Sequence, residues 1–300
     1  MGSIEEIIKY IAQWAKRFET RLSELLQSLD TRVQGMQRSL TRRFLEAVLE
    51  MFDFEGGKLK KTTKNIAALR KLERLFENFE REIIRDELAL FAAELLEIGG
   101  LTVEYYEATS PAAKAAAIKN SLELLRSVMG ITADGGLVEG GYLDRLGKTV
   151  QVRETLRQYV VQSIVSKRSL NEFQRGFRDL VEGKPGIDGA LQAYWRQYAY
   201  DTYNQAHEVV NVSMADELEL QHFIYQGSII PTSREFCRKK AGKVFTRQEA
   251  LKWKNDPDLI DKKTAASYNP FIERGRYNCR HWLNWISQDL AEQLRPDLKK

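Results

Sequence analysis

The sequence predicts a mainly α-helical protein with long amphipathic helices at the N-terminus and a small α+β domain at the C-terminus. Three observations support this fold class. Apolar residues recur at helical spacing over most of the first 218 residues, the 300 residues include only six prolines, and alternation of period two begins after residue 219. No window holds 18 consecutive apolar residues, so we expect no membrane-spanning segment.

The first helix is predicted from an apolar stripe about 50 residues long. Its members are Ile4, Ile8, Ile11, Ala15, Phe18, Leu22, Leu25, Leu29, Val33, Met36, Leu40, Phe44, Val48 and Met51. Steps that alternate between three and four residues place side chains on one face of a helix. A single helix cannot bury such a stripe, so it needs a partner, either another helix of the same chain or a second chain. We favour packing within the chain.

Further helices are predicted from the same periodicity and from helix-ending residues. They cover approximately residues 65–98, 110–129, 149–165, 169–180 and 189–218, and SQDLAEQLR forms a last short helix. Gly99-Gly100 is expected to end the second helix, and Ser110-Pro111 to begin the third. The helix at 189–218 is rich in aromatic residues, which are more typical of a core than of a surface that stacks nucleic-acid bases.

Changes in composition divide the chain into three predicted domains. Residues 1–130 form a long-helix domain, 131–219 a glycine-rich hinge with a second helical segment, and 220–300 a small domain that contains both cysteines. The glycines between 130 and 147 do not follow the order of a phosphate-binding loop. We therefore interpret that stretch as a flexible or extended hinge.

Positive charge is concentrated in the C-terminal segment. Residues 232–300 contain 16 Lys and Arg against 9 Asp and Glu, whereas the other residues contain 30 against 33. A basic end region can follow the phosphates of a nucleic acid, although ordinary solvated surface has the same composition. The candidate DNA-binding residues are Lys239, Lys240, Lys243, Lys262 and Lys263.

Cys237, Cys279 and His281 are the candidate metal ligands. Two thiolates and an imidazole could bind zinc, but a structural zinc site needs a fourth ligand, and neither cysteine belongs to a C-x-x-C knuckle. Three other interpretations stay open: a disulfide in an oxidising compartment, a catalytic Cys-His pair, or two buried thiols beside a hydrogen-bonded histidine. No common catalytic motif occurs, so the residues predict no enzymatic activity and no cofactor, with zinc as the open alternative.

An ordered series of short motifs follows residue 222. It comprises Phe223-x-Tyr225-x-Gly227-Ser228, Thr232-Ser233-Arg234-x-Phe236-Cys237, Gly242-Lys243-Val244-Phe245-Thr246, Glu249, Trp253 and Gly275-x-Tyr277-Asn278-Cys279-Arg280-His281-Trp282. The series resembles the C-terminal domain of the minor head proteins of tailed phages, the Mu F-like head morphogenesis family. The resemblance covers approximately residues 190–287. His281 departs from the family pattern, since many members have a second cysteine there, and Gly275-Arg276 stands where Gly-Gly is more frequent.

The resemblance implies a structural protein of the virion. Members are associated with the portal vertex and act in head assembly, DNA packaging or DNA ejection, so the implied partners are the portal protein, genomic DNA bound without sequence specificity, and other capsid proteins. The opening residues do not resemble a signal peptide, which predicts synthesis in the host cytoplasm. For this small domain we expect a structural cluster, in which Arg234, Cys237, Asn278, Cys279, Arg280 and His281 meet.

Two other functions remain possible from the sequence. The first is an effector enzyme, either a nuclease or a protein similar to ADP-ribosyltransferases, that uses His281 with nearby arginine and glutamate residues. The second is a zinc-dependent module that binds nucleic acid. A His281→Ala variant that folds normally but loses a measurable activity would favour the enzyme, and elemental analysis for zinc would test the metal-dependent module.

Overall fold

The computed structural model describes residues 4–110, 115–260, 267–276 and 279–299. The chain is 71% helical with small strands near the C-terminus, which confirms the predicted fold class. The residues divide into two compact units, which we describe separately. Unit 1 comprises Met1–Leu25, Ala93–Met129 and Tyr200–Lys300, and unit 2 comprises Leu26–Ala92 and Gly130–Ala199. They do not follow the three consecutive ranges suggested by composition, because compact units depend on which residues pack together.

The helices and strands have the following bounds. The helices are α1 (Ile4–Met51), α2 (Thr63–Phe79), α3 (Arg85–Thr109), α4 (Ala115–Met129), α5 (Tyr142–Gly147), α6 (Val150–Val165), α7 (Leu170–Val181), α8 (Ala190–Glu217), α9 (Glu235–Lys240), α10 (Arg247–Leu251), α11 (Pro270–Glu273) and α12 (Gln288–Leu294). The strands are β1 (Phe54–Glu55), β2 (Lys58–Leu59), β3 (Gly183–Lys184), β4 (Ile187–Asp188), β5 (His222–Gln226), β6 (Val244–Thr246) and β7 (Trp282–Ile286).

The apolar stripe of α1 is buried within the chain. Every member from Ile11 to Val48 is buried, whereas Ile8 is 39% exposed. The stripe therefore packs against the chain's own residues, as expected. A free apolar face from residue 11 to residue 48 is not present on this helix.

The predicted end of the second helix at Gly99-Gly100 is wrong. A π-helical turn, Glu80–Ile84, joins α2 to α3, and α3 continues to Thr109. A Cβ atom on Gly99 would lie 2.6 Å from a methyl of Leu125 and 3.4 Å from one of Val210. Gly99 therefore lets α4 and α8 approach α3 closely, and its small size serves packing instead of termination.

In unit 2, aromatic contacts join the helices on either side of the glycine-rich segment. Phe44 of α1 stacks on Phe177 of α7 with ring centroids 4.3 Å apart. A capping box between Ser169 and Glu172 begins α7. The segment after Gly130 is not extended, because it forms hydrogen-bonded turns followed by α5.

Unit 1 contains a three-stranded antiparallel sheet in the order β6-β5-β7. Phe223 at the centre of β5 pairs with Phe245 of β6 and Trp285 of β7. All five residues of β7 are buried, and the Tyr105 hydroxyl of α3 donates a hydrogen bond to the Trp285 carbonyl over 2.8 Å. The sheet is thus covered by a helix of the same unit, and it fixes the positions of the segments around β5 and β7.

Candidate functional site

Cys237, Cys279 and His281 meet in unit 1, although 42 residues separate the two cysteines. The two Sγ atoms lie 3.8 Å apart, and Cys279 Sγ lies 3.8 Å from Nδ1 of His281. The ligand atoms of the three residues all lie within 4.8 Å of one another. Cys237 belongs to α9, and the other two residues directly precede β7.

Strand pairing brings these segments together. Gln226, the last residue of β5, pairs with Trp282, the first residue of β7. Gly227 follows with a φ of +133°, and a Cβ atom there would lie 2.6 Å from the carbonyl oxygen of Arg280. Because a side chain would not fit, glycine is needed where β5 leaves the sheet beside the Cys279–His281 segment.

Tyr225 and Gly275 complete the surroundings of the two sulfurs. The Tyr225 hydroxyl lies 3.4 Å from Cys237 Sγ and 3.5 Å from Cys279 Sγ, and its ring stacks on the His281 imidazole with centroids 5.0 Å apart. The Gly275 N–H donates to Cys279 Sγ over 3.3 Å. Gly275 is buried beside the two sulfurs.

The predicted structural cluster is only partly assembled. Arg234 donates a hydrogen bond of 2.7 Å to the Gly275 carbonyl, and so ties the start of α9 to the wall of the sulfur pair. Arg280 is exposed, and its guanidinium lies 5.8 Å from the ring centroid of Tyr200 instead of among the sulfurs. Asn278 lies outside the described residues.

The two thiols are electrostatically different. The hydrogen bond with Cys237 lowers the pKa of the Cys279 thiol, and contacts with His281, Arg274 and Tyr225 lower it further against the opposing effect of burial. The same hydrogen bond, together with burial, raises the pKa of Cys237. Cys279 is therefore the first of the two to become a thiolate, with Cys237 as the proton donor.

A buried ion pair that the sequence analysis missed lies in the same unit. Arg274 is 5% exposed and pairs with Glu208 of α8, which also accepts a hydrogen bond of 3.0 Å from Asn211. Burial raises the pKa of Glu208 to about 6, although Arg274 opposes this shift. A polar row along α8 was the available signal: Asn204, Glu208 and Asn211 recur at steps of four and three.

The candidate DNA-binding lysines differ in exposure. Lys240 is 6% exposed, pairs with Asp256 and lies 3.8 Å from the ring centroid of Phe236, so its ammonium group is not presented to a phosphate. Lys239 and Lys243 are exposed, and Lys239 lies 2.6 Å from a carboxylate oxygen of Asp258. Lys262 and Lys263 lie outside the described residues.

A surface groove of about 620 Å³ lies elsewhere in unit 1. Its wall includes Ile8, Ile224, Val244 and Leu294, and none of the three candidate metal ligands lines it.

Comparisons with protein-family models, with curated proteins and with solved structures find no match to this chain. Among the described residues, no helix combines the length and hydropathy that a membrane span requires, in agreement with the prediction.

Substitution of Gly275 by alanine is expected to lower the free energy of unfolding by about 1–3 kcal/mol. The new Cβ would lie 2.6 Å from Cys237 Sγ and 3.1 Å from Cys279 Sγ. Gly100→Ala is the matched control, because nothing lies within 4 Å of that Cβ and alanine favours a helix interior. Urea denaturation should show opposite signs for the two variants; equal effects would contradict the tight approach at Gly275.

Proposed function

We propose that this chain is a minor head protein of a tailed phage. Its proposed location is the capsid interior or the portal vertex of the virion, after synthesis in the host cytoplasm. It would act in head morphogenesis, DNA packaging or DNA ejection, with the portal protein, phage genomic DNA and other capsid proteins as partners. The ordered motif series that resembles the Mu F-like domain is the basis of this proposal.

The burial of the motif residues is the observation that favours a structural role. Cys237, Cys279 and His281 are 3%, 4% and 1% exposed. Their side chains lie among α9, Tyr225 of β5 and the segment before β7, where they join parts of the chain that are distant in sequence. This arrangement suits a scaffold, whereas the effector-enzyme alternative needs His281 in a cleft that a substrate can enter.

The proposed portal contact does not use the apolar stripe of α1. From Ile11 to Val48 that stripe is buried, so it cannot also cover a ring-shaped partner. We therefore assign the portal contact to other surfaces of the chain. Retention of the full chain on purified portal rings during sedimentation tests this contact. If the chain bound neither portal rings nor DNA at low salt, the proposed function would be excluded.

The proposed DNA contact involves the exposed Lys243. We expect the full chain to bind duplex DNA without sequence preference, and the logarithm of its affinity to fall linearly with the logarithm of salt concentration. Lys243→Gln should weaken binding and reduce the steepness of that dependence by about one. Lys16 is an exposed residue of α1, and Lys16→Gln is the control because it makes the same change in net charge. Equal salt slopes for the two variants would remove Lys243 from the DNA contact.

A further inference from the structure

The cluster of Cys237, Cys279 and His281 has the geometry of a closed metal site. We propose that these three side chains and the Tyr225 hydroxyl bind one structural zinc ion, which links α9 to β5 and to the segment before β7. This goes beyond the proposed function, because zinc binding would stabilise unit 1 whatever the chain assembles with. Zinc is the metal that two thiolates and one imidazole favour in a tetrahedral site.

The separation of the two sulfurs fits one shared zinc ion. Two thiolates at about 2.3 Å from a tetrahedral zinc lie about 3.8 Å from each other. Cys237 Sγ and Cys279 Sγ lie 3.8 Å apart. A disulfide would instead require a separation of about 2.05 Å. The sulfurs are thus placed as two corners of one coordination tetrahedron.

The His281 imidazole supplies the third corner. A ring nitrogen at about 2.0–2.1 Å from zinc would lie about 3.6 Å from a zinc-bound sulfur. Nδ1 of His281 lies 3.8 Å from Cys279 Sγ, and the three ligand atoms lie within 4.8 Å of one another. Shifts of a few tenths of an ångström in the side chains would therefore suffice for coordination.

The His281 ring is enclosed at the site. It is 1% exposed, and its Nδ1 faces the Cys279 thiol at 3.8 Å. Zinc bound at Nδ1 would replace that long contact with a metal–ligand bond. The Nε2 atom has no hydrogen-bond partner among the described residues, and zinc at Nδ1 would leave it unchanged.

Tyr225 provides the fourth corner. An oxygen at about 2.0–2.2 Å from zinc lies about 3.5 Å from a zinc-bound sulfur. The Tyr225 hydroxyl lies 3.4 Å from one sulfur and 3.5 Å from the other. The Gly275 N–H, which donates to Cys279 Sγ, would orient that thiolate. With four protein ligands no open position remains, as in structural rather than catalytic zinc sites.

Metal content of the full chain is the direct test. The untagged chain, produced in zinc-supplemented medium and passed through gel filtration, should retain about one zinc per molecule by elemental analysis. Replacement by Co²⁺ should give the d–d absorption of tetrahedral cobalt with a thiolate charge-transfer band. A folded chain that retains no zinc, and takes up neither zinc nor cobalt, would overturn the proposal.

Ligand variants identify the site. Cys237→Ser and His281→Gln should lose the zinc that survives gel filtration, and Tyr225→Phe should bind zinc about 10–100-fold more weakly. His222→Gln is the control, because His222 pairs with Thr246 and Ile286 in the sheet and lies outside the cluster. If Cys237→Ser and the control retained equal amounts of zinc, the assigned site would be wrong. If Tyr225→Phe bound zinc with unchanged affinity, Tyr225 would not be one of the ligands.

If the ligand variants do not fold, the unsubstituted chain provides a second test of the site. Titration with an organomercurial should release zinc to an indicator dye in step with modification of the two thiols, because both thiolates bind the same ion. Zinc that stays bound after both cysteines are modified would place the metal elsewhere. Loss of portal or DNA binding in a zinc-loaded chain would contradict the proposed function but leave the metal site intact.

Discussion

Replacement of Glu208 by glutamine is expected to lower the free energy of unfolding by about 3–5 kcal/mol. The carboxylate pairs with the Arg274 guanidinium, and both side chains are buried. Glutamine would leave a buried cation without a counter-charge. Because arginine does not give up its proton in proteins, the variant cannot relieve this cost by deprotonation.

Removal of the other partner should cost less. Arg274→Met would leave Glu208 buried, but the carboxyl group can take up a proton, and burial already raises its pKa to about 6. Asn211 would still donate to it over 3.0 Å. We therefore expect a loss of about 2 kcal/mol at pH 7. Urea denaturation of both variants at pH 7 measures the difference.

An exposed pair provides the control for this asymmetry. Arg17 and Glu104 also form an ion pair in unit 1, but their side chains are 53% and 50% exposed. Arg17→Met should change the free energy of unfolding by no more than about 1 kcal/mol. If Arg274→Met proved more costly than Glu208→Gln, the unpaired cation would not be the source of the instability.

Periodicity predicted the helices well, because it records which side chains face a core. The stripe of α1 is the clearest example, since spacings of three and four over many turns leave few alternatives. Gly99 shows the limit of this reasoning. The same residue type ends helices and allows helices to approach closely, and only the positions of Leu125 and Val210 distinguish the two roles.

Part of the candidate site could be predicted from the sequence. The order of the motifs placed Cys237 near Cys279 and His281, and those side chains do meet in the structure. Tyr225 was known only as part of a strand pattern, and nothing in that pattern shows where its hydroxyl lies.

The partners of buried charges were not predictable in this way. Glu208 and Arg274 are 66 residues apart, and many other pairs of opposite charge have similar separations. A buried pair is recognisable only after packing has removed both groups from water. The composition of the C-terminal segment likewise cannot separate Lys240, which is buried, from the exposed Lys243.

Acidification is expected to destabilise the protein through His207 of α8. The imidazole is buried beside Trp14 and Phe18, and its Nδ1 lies 2.8 Å from the Thr102 hydroxyl. Burial, together with the positive charge of Arg274, lowers the pKa of His207 from 6.5 to about 3. The unfolded chain therefore binds a proton that the folded chain does not bind between these pH values. This contribution to stability is complete above pH 6.5 and is lost as the pH falls toward 3.

The size of the effect follows from the shift. A change of about 3.5 pKa units corresponds to about 5 kcal/mol. Glu208 acts in the opposite direction, because its pKa is raised from 4.5 to about 6 and its protonation favours the folded chain in that interval. The two contributions largely cancel between pH 6 and 4.5, so the protein as a whole should lose stability mainly below pH 4.5.

His207→Phe removes the titrating imidazole, whose Nε2 lies 3.8 Å from Oε1 of Glu208, and leaves the Glu208 carboxyl group in place. The phenyl ring keeps the contacts with Trp14 and Phe18 but loses the hydrogen bond with Thr102, so the variant should be about 1 kcal/mol less stable at pH 7.5. Because phenylalanine does not titrate, this deficit should shrink as the pH falls and reverse sign by about pH 5. Urea denaturation of both proteins from pH 7.5 to 4.5 measures the crossing. If the difference in free energy of unfolding stayed constant over this range, His207 would be protonated as readily in the folded chain as in the unfolded one. The prediction that the buried imidazole stays neutral would then be wrong.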